Sequence, residues 1–302
     1  MSQWITKMFY KQREDFQKTY ADRDKQFKPL HEITREADIP YAGDTLPAHR
    51  LDVYYPKEVP DGKTGSAALL PVMINIHGGG LLIGNKEFNR PFCERIARKG
   101  FLVFSLEYRL VPDCLIFDQF QDVFTAFDYI KENLAYYHGD PDRIYASGDS
   151  GGACLLTYTS AMQNCKKLAD AAGVTPSTLK PGAIGLISGM FYTTRKDKIG
   201  LFLPPYLYGK HYKKEAFAPY VNPEHEDIVS SLPPCFLTTS HDDYLQRYTL
   251  SFANALRRYH VPHKLLNLPA DRRLTHAFSV FDPSLPESEA LISDMLQFLQ
   301  SF

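Results

Sequence analysis

The stretch Gly148-Asp149-Ser150-Gly151-Gly152 decides how this chain is interpreted. It follows the alternating run Arg143–Ser147, which is typical of a β-strand, and precedes the helix-compatible run Ala153–Tyr158. The order of strand, glycine-rich turn and helix predicts a sharp turn that holds Ser150 in a strained conformation at a helix N-terminus. Unpaired N–H groups at that position favour developing negative charge, so Ser150 is a candidate nucleophile. Because turns often contain glycine and serine, the pattern needs support from the rest of the chain.

Length and composition indicate one large α/β domain or two medium ones. The chain has 302 residues, of which 44% are hydrophobic, and a formal net charge of −1 without a basic block, which argues against nucleic acid as the main partner. The N-terminal residues lack the apolar core of a signal peptide, and no run approaches the roughly 18 apolar residues that span a bilayer. Five scattered cysteines fit a reduced, cytoplasmic protein without a disulfide framework or a zinc site.

Strands alternate with helices along most of the chain. Apolar runs predict strands at 33–37, 51–55, 72–76, 101–106, 143–147, 183–188, 235–239 and 264–268. Helical spacing predicts helices at 1–28, 90–99, 117–137, 151–172, 246–259 and 286–302. The segment 56–71 is predicted to be a loop. This alternation predicts an α/β fold with a mostly parallel sheet covered on both faces, and its sites should lie at the carboxyl ends of the strands.

One segment interrupts the alternation. Residues 191–225 are rich in aromatic residues and proline, and they show no strand pattern. A stretch of this length predicts an insertion at the rim of the sheet, packed with the N-terminal helix. The alternative is a structural excursion whose aromatic side chains pack only on one another.

A second glycine-rich loop has the properties of an oxyanion hole. His77-Gly78-Gly79-Gly80 directly follows the predicted strand 72–76. Three successive glycines expose backbone N–H groups that can bind the oxygen of a tetrahedral intermediate, and the Gly151 amide is expected to contribute. We interpret His77 as a structural residue that holds the loop by hydrogen bonds.

A nucleophilic serine also needs a base and an orienting carboxylate. His276 follows the last predicted strand and precedes the terminal helix, which is the position expected for the base in the chain order serine, acid, histidine. The acid should follow the preceding strand, where Asp242 and Asp243 are adjacent. Neighbouring side chains point in different directions, so only one can face the imidazole and the other is expected to serve in a turn.

Together these residues resemble the hormone-sensitive-lipase-like family of α/β-hydrolases, in its bacterial carboxylesterase branch. The glycine loop 77–80 matches the family's His-Gly-Gly-Gly motif, and 148–152 is similar to its Gly-Asp-Ser-Ala-Gly-Gly elbow, with Gly151 where alanine is usual. The segments 108–113 and 139–144 resemble the family's Tyr-Arg-Leu-Ala-Pro-Glu segment and the approach to the elbow strand. The resemblance covers about residues 50–302.

The resemblance implies roles for individual residues. In the family the acid commonly opens an Asp-Pro-Leu-x-Asp motif, and Asp243-Tyr244-Leu245 keeps the Asp-x-Leu spacing, which favours Asp243 over Asp242. The proline is absent, and Arg247 replaces the second aspartate. His276-Ala277-Phe278 is similar to the family's His-Gly-Phe, and its alanine requires a backbone conformation acceptable to a Cβ.

The resemblance also implies an oxyanion hole and a domain organisation. The oxyanion donors would be the amides of Gly79, Gly80 and Gly151. Residues 1–48 would form an N-terminal cap segment with the first strand, and 49–302 the hydrolase domain with a cap insertion at about 190–225. We expect four residues to contact the substrate: Leu81, Asp149, Tyr206 and Tyr208.

The leading hypothesis is therefore a serine carboxylesterase with the triad Ser150, Asp243 and His276, acting on short- to medium-chain acyl or aryl esters without a metal or organic cofactor. A formamide or other amide hydrolase is the first alternative, but related formamidases often carry a tryptophan soon after the oxyanion glycines, where this chain has Leu81-Leu82. A carbohydrate esterase and a non-catalytic small-molecule receptor are further alternatives. Receptors on this fold have lost the catalytic histidine, whereas His276 is in place. The expected partner is a small-molecule ester, and edge-strand pairing could form a homodimer.

Overall fold

The computed structural model describes residues 2–58 and 68–302 and contains one eight-stranded sheet in that part of the chain. The predicted loop 56–71 lies partly outside the described residues, and the next strand begins at Leu70. The strands are β1 Ile33–Pro40, β2 Arg50–Pro56, β3 Leu70–Ile76, β4 Leu102–Leu106, β5 Gly139–Asp149, β6 Ala183–Ile187, β7 Cys235–Ser240 and β8 His263–Leu268. All eight correspond to predicted strands, with ends that differ by a few residues.

Helices connect the strands. They are α1 Gln3–Asp24, α2 Arg90–Arg98, α3 Ile116–Asn133, α4 Gly151–Met162, α5 Lys166–Ala172, α6 Lys198–Phe202, α7 Pro204–Tyr208, α8 Glu226–Val229, α9 Gln246–Arg258, α10 Phe278–Phe281 and α11 Pro286–Leu299. The single helix predicted over 151–172 is two helices, because the extended backbone of Cys165 (φ −127°, ψ 94°) separates α4 from α5.

The sheet order is β1-β2-β4-β3-β5-β6-β7-β8. The pairs β1–β2 and β2–β4 are antiparallel, and the other five pairs are parallel. Alternate strand residues enter separate cores: Ile74 and Phe104 pack on the side of α3 and α4, whereas Met73 and Val103 pack on the side of α2 and α11. The predicted α/β-hydrolase architecture, a mostly parallel sheet covered on both faces, is confirmed.

The register of the parallel strands brings their carboxyl ends to one edge of the sheet. Ile76 of β3 pairs with Gly148 of β5, and Asp149 pairs with Ile187 of β6. The loops after β3, β5, β6, β7 and β8 therefore leave the sheet at the same edge. The glycine loop, the serine turn and both aspartates lie in these loops.

Two segments outside the sheet lie above this edge. One is α1, which precedes the first strand, and the other is the connection 188–234 between β6 and β7, which contains α6, α7 and α8. In the described part of the chain, none of the helices combines the length and hydrophobicity needed to cross a bilayer.

Candidate active site

Ser150 occupies a strained turn between β5 and α4. Its backbone has φ 49° and ψ −112°, which is unusual for a residue with a side chain. Two backbone hydrogen bonds hold the turn against the end of β6: Ser150 N–H donates to Ile187 O at 2.9 Å, and Met190 N–H donates to Ser150 O at 2.9 Å. Ser150 lines a cavity at the edge of the sheet and directly precedes α4, whose N-terminal amides favour negative charge there.

His276 and Asp243 form a hydrogen-bonded pair beside Ser150. His276 Nδ1 donates to Asp243 Oδ1 at 2.8 Å, which leaves Nε2 as the free ring nitrogen. His276 lines the same cavity as Ser150. Among the described residues, the side chains of Ser150 and His276 are not joined by a hydrogen bond. Hydrogen bonds between catalytic groups are often long in the absence of substrate and shorten when substrate binds.

The Asp243 carboxylate is kept charged by its hydrogen bonds. Burial raises its pKa, but the hydrogen bond and charge of His276, with smaller contributions from the Leu245 amide and Ser188, outweigh burial and bring the pKa below its ordinary value. Leu245 N–H donates to Oδ1 at 2.8 Å, and the Thr239 hydroxyl donates to Oδ2 at 2.9 Å. Asp243 is therefore suited to orient the imidazole and to stabilise its cationic form.

Asp242 has a different environment from its neighbour. It is exposed, and its Oδ2 accepts a hydrogen bond from the Asp271 amide at 2.8 Å. It connects the loop after β7 to the loop after β8. Asp243, and not Asp242, is the carboxylate that contacts His276.

The structure adds one residue that the sequence did not identify, Ser188. Ser188 directly follows β6 and is buried, and its Oγ accepts a hydrogen bond from the Ala277 amide at 3.0 Å. Ala277 has φ 49° and ψ 35°, in the left-handed region, which a residue with a Cβ can adopt but which glycine adopts more readily. The left-handed region costs a residue with a Cβ about 1–2 kcal/mol. The hydrogen bond that the Ala277 amide donates to Ser188 Oγ stabilises this turn and with it the position of His276.

The glycine loop and the serine turn are in direct contact. A Cβ added to Gly151 would lie 3.0 Å from Gly80 N and 2.9 Å from Leu81 N, so no larger residue fits without moving the loop. Gly79 has φ 110°, and a Cβ there would lie 2.0 Å from Ile83 O. The Gly80 amide therefore lies beside the N-terminus of α4, so the glycine loop and the serine turn are adjacent.

Two buried side chains, those of Asp149 and His77, hold the glycine loop 77–80 in place by hydrogen bonds. Asp149 Oδ1 accepts hydrogen bonds from Gly78 N at 3.0 Å and from Asn89 Nδ2 at 2.8 Å, and burial raises the pKa of this carboxyl. His77 contacts Gly78 O at 2.8 Å and Glu107 Oε1 at 3.1 Å. Burial lowers the pKa of His77, but the Glu107 carboxylate, with smaller contributions from the Gly78 carbonyl and Asp149, outweighs burial and raises this pKa above its ordinary value. Both side chains therefore support the loop.

The cavity at this edge has a volume of about 780 Å³ and is mostly apolar. Helix α1 and the 188–234 connection contribute much of its wall: Met8, Phe9, Gln12, Phe16, Met190, Lys198, Ile199, Phe202 and Leu203. Of the four residues expected to contact substrate, only Asp149 lines the cavity. Leu81 is fully buried, and Tyr206 and Tyr208 are buried with their hydroxyls bonded to Ser2 and Thr193, so for these three the expectation is wrong.

The aromatic residues of the insertion serve mainly as packing. The ring of Phe217 lies 5.2 Å from that of Phe117 on α3 and 5.8 Å from that of Tyr158 on α4. The aromatic side chains of the insertion thus also pack on helices α3 and α4, and not only on one another. Phe202 is the member of this group that reaches the cavity.

One group of carboxylates has the spacing of a metal site: Asp38, Asp52 and Glu87. Cations already neutralise it, because Lys86 Nζ lies 2.8 Å from Asp38 and 3.1 Å from Asp52, and Arg35 lies 2.6 Å from Asp52. This group is an ion-pair network that joins β1 and β2 to the segment after the glycine loop.

The chain is similar to known proteins in sequence and in fold. A family profile described as the alpha/beta hydrolase fold matches residues 73–279. A probable isoprenylcysteine alpha-carbonyl methylesterase of Arabidopsis thaliana is 29% identical over 232 residues, which are 73% of this chain and 47% of the relative. The chain thus spans about half the length of that plant protein. A carboxylesterase of Mycobacterium tuberculosis is 27% identical over 246 residues, covering 78% of this chain and 72% of the relative.

Among solved structures, an esterase B from Lactobacillus rhamnosis, inhibited by a tributyrin phosphonate, superposes with a TM-score of 0.91. The superposition covers 100% of this chain and 96% of that one at 22% sequence identity. At this identity the likeness concerns the fold.

Proposed function

The chain belongs to the alpha/beta hydrolase fold family, and from this premise we propose that it is a serine carboxylesterase acting on short- to medium-chain acyl or aryl esters. One observation carries the proposal: the strained Ser150 shares its cavity with His276, whose Nδ1 is bonded to Asp243 at 2.8 Å. A serine, a histidine with one free ring nitrogen and a buried carboxylate are the groups that acyl transfer requires.

In the proposed mechanism Ser150 Oγ attacks the ester carbonyl carbon while His276 Nε2 takes the serine proton. The carbonyl oxygen becomes an oxyanion, which the amides of Gly79, Gly80 and Gly151 stabilise, and one such donor is worth about 10²–10³ in rate. Collapse of the intermediate breaks the bond to the alcohol oxygen, which receives the proton from His276. Water, activated by the same histidine, then hydrolyses the acyl-enzyme.

The comparisons support an ester substrate. The curated relatives are named as a methylesterase and a carboxylesterase, and the solved structure of similar fold carries a phosphonate analogue of tributyrin. The mostly apolar cavity of about 780 Å³ fits an apolar ester of modest size.

Finer assignments are part of the same proposal. We assign the chain to the hormone-sensitive-lipase-like group, in its bacterial branch, from the motifs at 77–80 and 148–152. We propose that residues 1–48 and about 190–225 act as a cap over the domain formed by 49–302, since α1 and α6 both line the cavity. The five cysteines are free thiols, which supports a cytoplasmic location, and the edge strand β8 offers a surface for a homodimer.

The test is Ser150→Ala, assayed with p-nitrophenyl acetate and p-nitrophenyl butyrate. We expect a loss of turnover by a factor of about 10⁴ or more, because the nucleophile is removed. Ser160→Ala is the matched control: Ser160 lies on α4, is buried and has an Oγ without a hydrogen-bond partner among the described residues. Unchanged turnover in Ser150→Ala would contradict the mechanism, and faster cleavage of p-nitroacetanilide than of the esters by the wild type would favour an amide hydrolase.

A further inference from the structure

The ring of Tyr244 lies against His276. The two ring centroids are 4.4 Å apart, and the ring planes are inclined at 40°. Tyr244 directly follows Asp243, which is itself bonded to His276. Asp243 therefore links the two rings, because it is joined to Tyr244 by the backbone and to His276 by a hydrogen bond.

Tyr244 also faces the cavity. It is 74% exposed although its ring contacts His276, and it lines the same cavity as Ser150. Tyr206 and Tyr208, in contrast, are buried in the packing of the insertion. Tyr244 thus combines contact with the base and a ring surface that is open to a bound molecule.

The chemistry of ester hydrolysis determines which part of the substrate reaches this ring, and the inference rests here on the proposed function. When the acyl-enzyme forms, Ser150 Oγ keeps the acyl group, and the alcohol oxygen takes its proton from His276 Nε2. The alcohol oxygen must therefore lie within hydrogen-bond distance of His276. The rest of the alcohol extends from that point along the surface around the imidazole, which includes Tyr244.

We propose that Tyr244 determines specificity for the alcohol part of the ester and favours uncharged aromatic alcohols. Contacts between aromatic rings contribute free energy beyond the burial of apolar area. The Asp242 carboxylate, two residues before Tyr244, also lines the cavity, so an anionic alcohol is disfavoured there by like-charge repulsion.

The experiment compares kcat/KM for pairs of esters that differ only in aromaticity. Benzyl butyrate and cyclohexylmethyl butyrate vary the alcohol, methyl phenylacetate and methyl cyclohexylacetate vary the acyl group, and methyl butyrate is the small reference. The variants are Tyr244→Ala, Tyr244→Phe and the matched control Tyr136→Ala. Tyr136 is 72% exposed but does not line the cavity.

We expect the wild type to prefer the benzyl over the cyclohexylmethyl ester by about twofold to tenfold. Tyr244→Ala should bring that ratio to about one, and Tyr244→Phe and Tyr136→Ala should keep it. A ratio unchanged in Tyr244→Ala, or a change confined to the acyl pair, would overturn the inference while leaving the esterase proposal intact. A wild type that hydrolyses none of the five esters would overturn both.

Discussion

Asp242 and Asp243 are adjacent and carry the same side chain, yet only Asp243 contacts His276. Its carboxylate is buried and receives hydrogen bonds from Leu245 N and the Thr239 hydroxyl, whereas Asp242 is exposed and bonds to the Asp271 amide. The two aspartates therefore differ in the direction of their side chains and not in their chemistry. The hydrogen bonds that Leu245 N and the Thr239 hydroxyl donate hold the Asp243 carboxylate where it can contact His276.

The carboxylate assignment can be tested directly. Asp243→Asn should reduce kcat by about 10⁴, because an amide at this position no longer stabilises the imidazolium and favours the wrong histidine tautomer. Asp242→Asn is the isosteric control one residue away, and we expect it to keep kcat within about threefold. Steady-state rates on p-nitrophenyl butyrate measure both variants. A larger loss of kcat in Asp242→Asn than in Asp243→Asn would show that Asp242 is the catalytic acid residue.

Helix α1 contributes four side chains to the wall of the cavity, and two arginines anchor it. Near its middle, Arg13 donates to Leu82 O at 3.0 Å and Val111 O at 2.9 Å. Near its end, Arg23 donates to Phe88 O at 2.9 Å and to Val280 and Phe281 O at 2.7 and 2.9 Å. These carbonyls belong to the segments after the glycine loop, after β4 and after His276, so α1 is fastened to both sides of the cavity.

Replacing Arg23, which anchors the end of α1, should destabilise the wall of the cavity. Arg23→Met keeps the apolar stem but loses three charge-assisted hydrogen bonds, and we expect a loss of about 1–3 kcal/mol of unfolding free energy. KM for p-nitrophenyl butyrate should rise, because Phe88 and Phe281 line the cavity and pack around Arg23. Thermal unfolding and steady-state kinetics measure the two effects.

Arg272→Met provides the control for this substitution, since Arg272 is exposed and makes no hydrogen bond or ion pair in the described chain. It should behave as the wild type. An Arg23→Met variant with unchanged stability and KM would show that α1 is held by its apolar contacts alone.

At the scale of the whole molecule, the parallel sheet brings distant parts of the chain to one edge. His77 at the end of β3 meets Glu107 at the end of β4 at 3.1 Å, and both are next to the loops that form the cavity. Both acceptors of His77 are oxygens that cannot donate, so the two ring nitrogens donate together when the imidazole is protonated. The fold therefore stabilises a buried imidazolium beside a carboxylate.

This pair makes folding stability depend on pH with a defined sign. The pKa of His77 is raised in the folded protein, so protonation of His77 stabilises the fold. This contribution to the free energy of unfolding is fully present below the ordinary histidine pKa of about 6.5, and it is lost as pH rises through the pKa of His77 in the folded protein. We expect Tm of the wild type to fall as pH rises above about 6.5. Glu107→Gln removes the charge that raises the pKa, so its Tm should fall less over the same range. Equal slopes in the two proteins would contradict a role for this pair.

Much of this architecture is predictable because it depends on local patterns. Buried parallel strands are continuous apolar runs, and amphipathic helices repeat every three to four residues, so all eight strands and most helices follow from the sequence. Glycine runs mark the turns where side chains do not fit, which places the serine and the glycine loop. The cavity wall was less predictable: Tyr206 and Tyr208 are aromatic and lie in the insertion, but they pack inward, away from the cavity.

The sequence by itself determined the hydrolase fold and the candidate residues Ser150 and His276, because motif spacing and chain order are local properties. Only the tertiary structure decided that Asp243 faces His276, that Ser188 bonds to Ala277, and which aromatic residues reach the cavity. The physical reason is that these contacts join loops from different strands. Their geometry depends on the register of the sheet and on the packing of α1 and the insertion, which no single segment encodes.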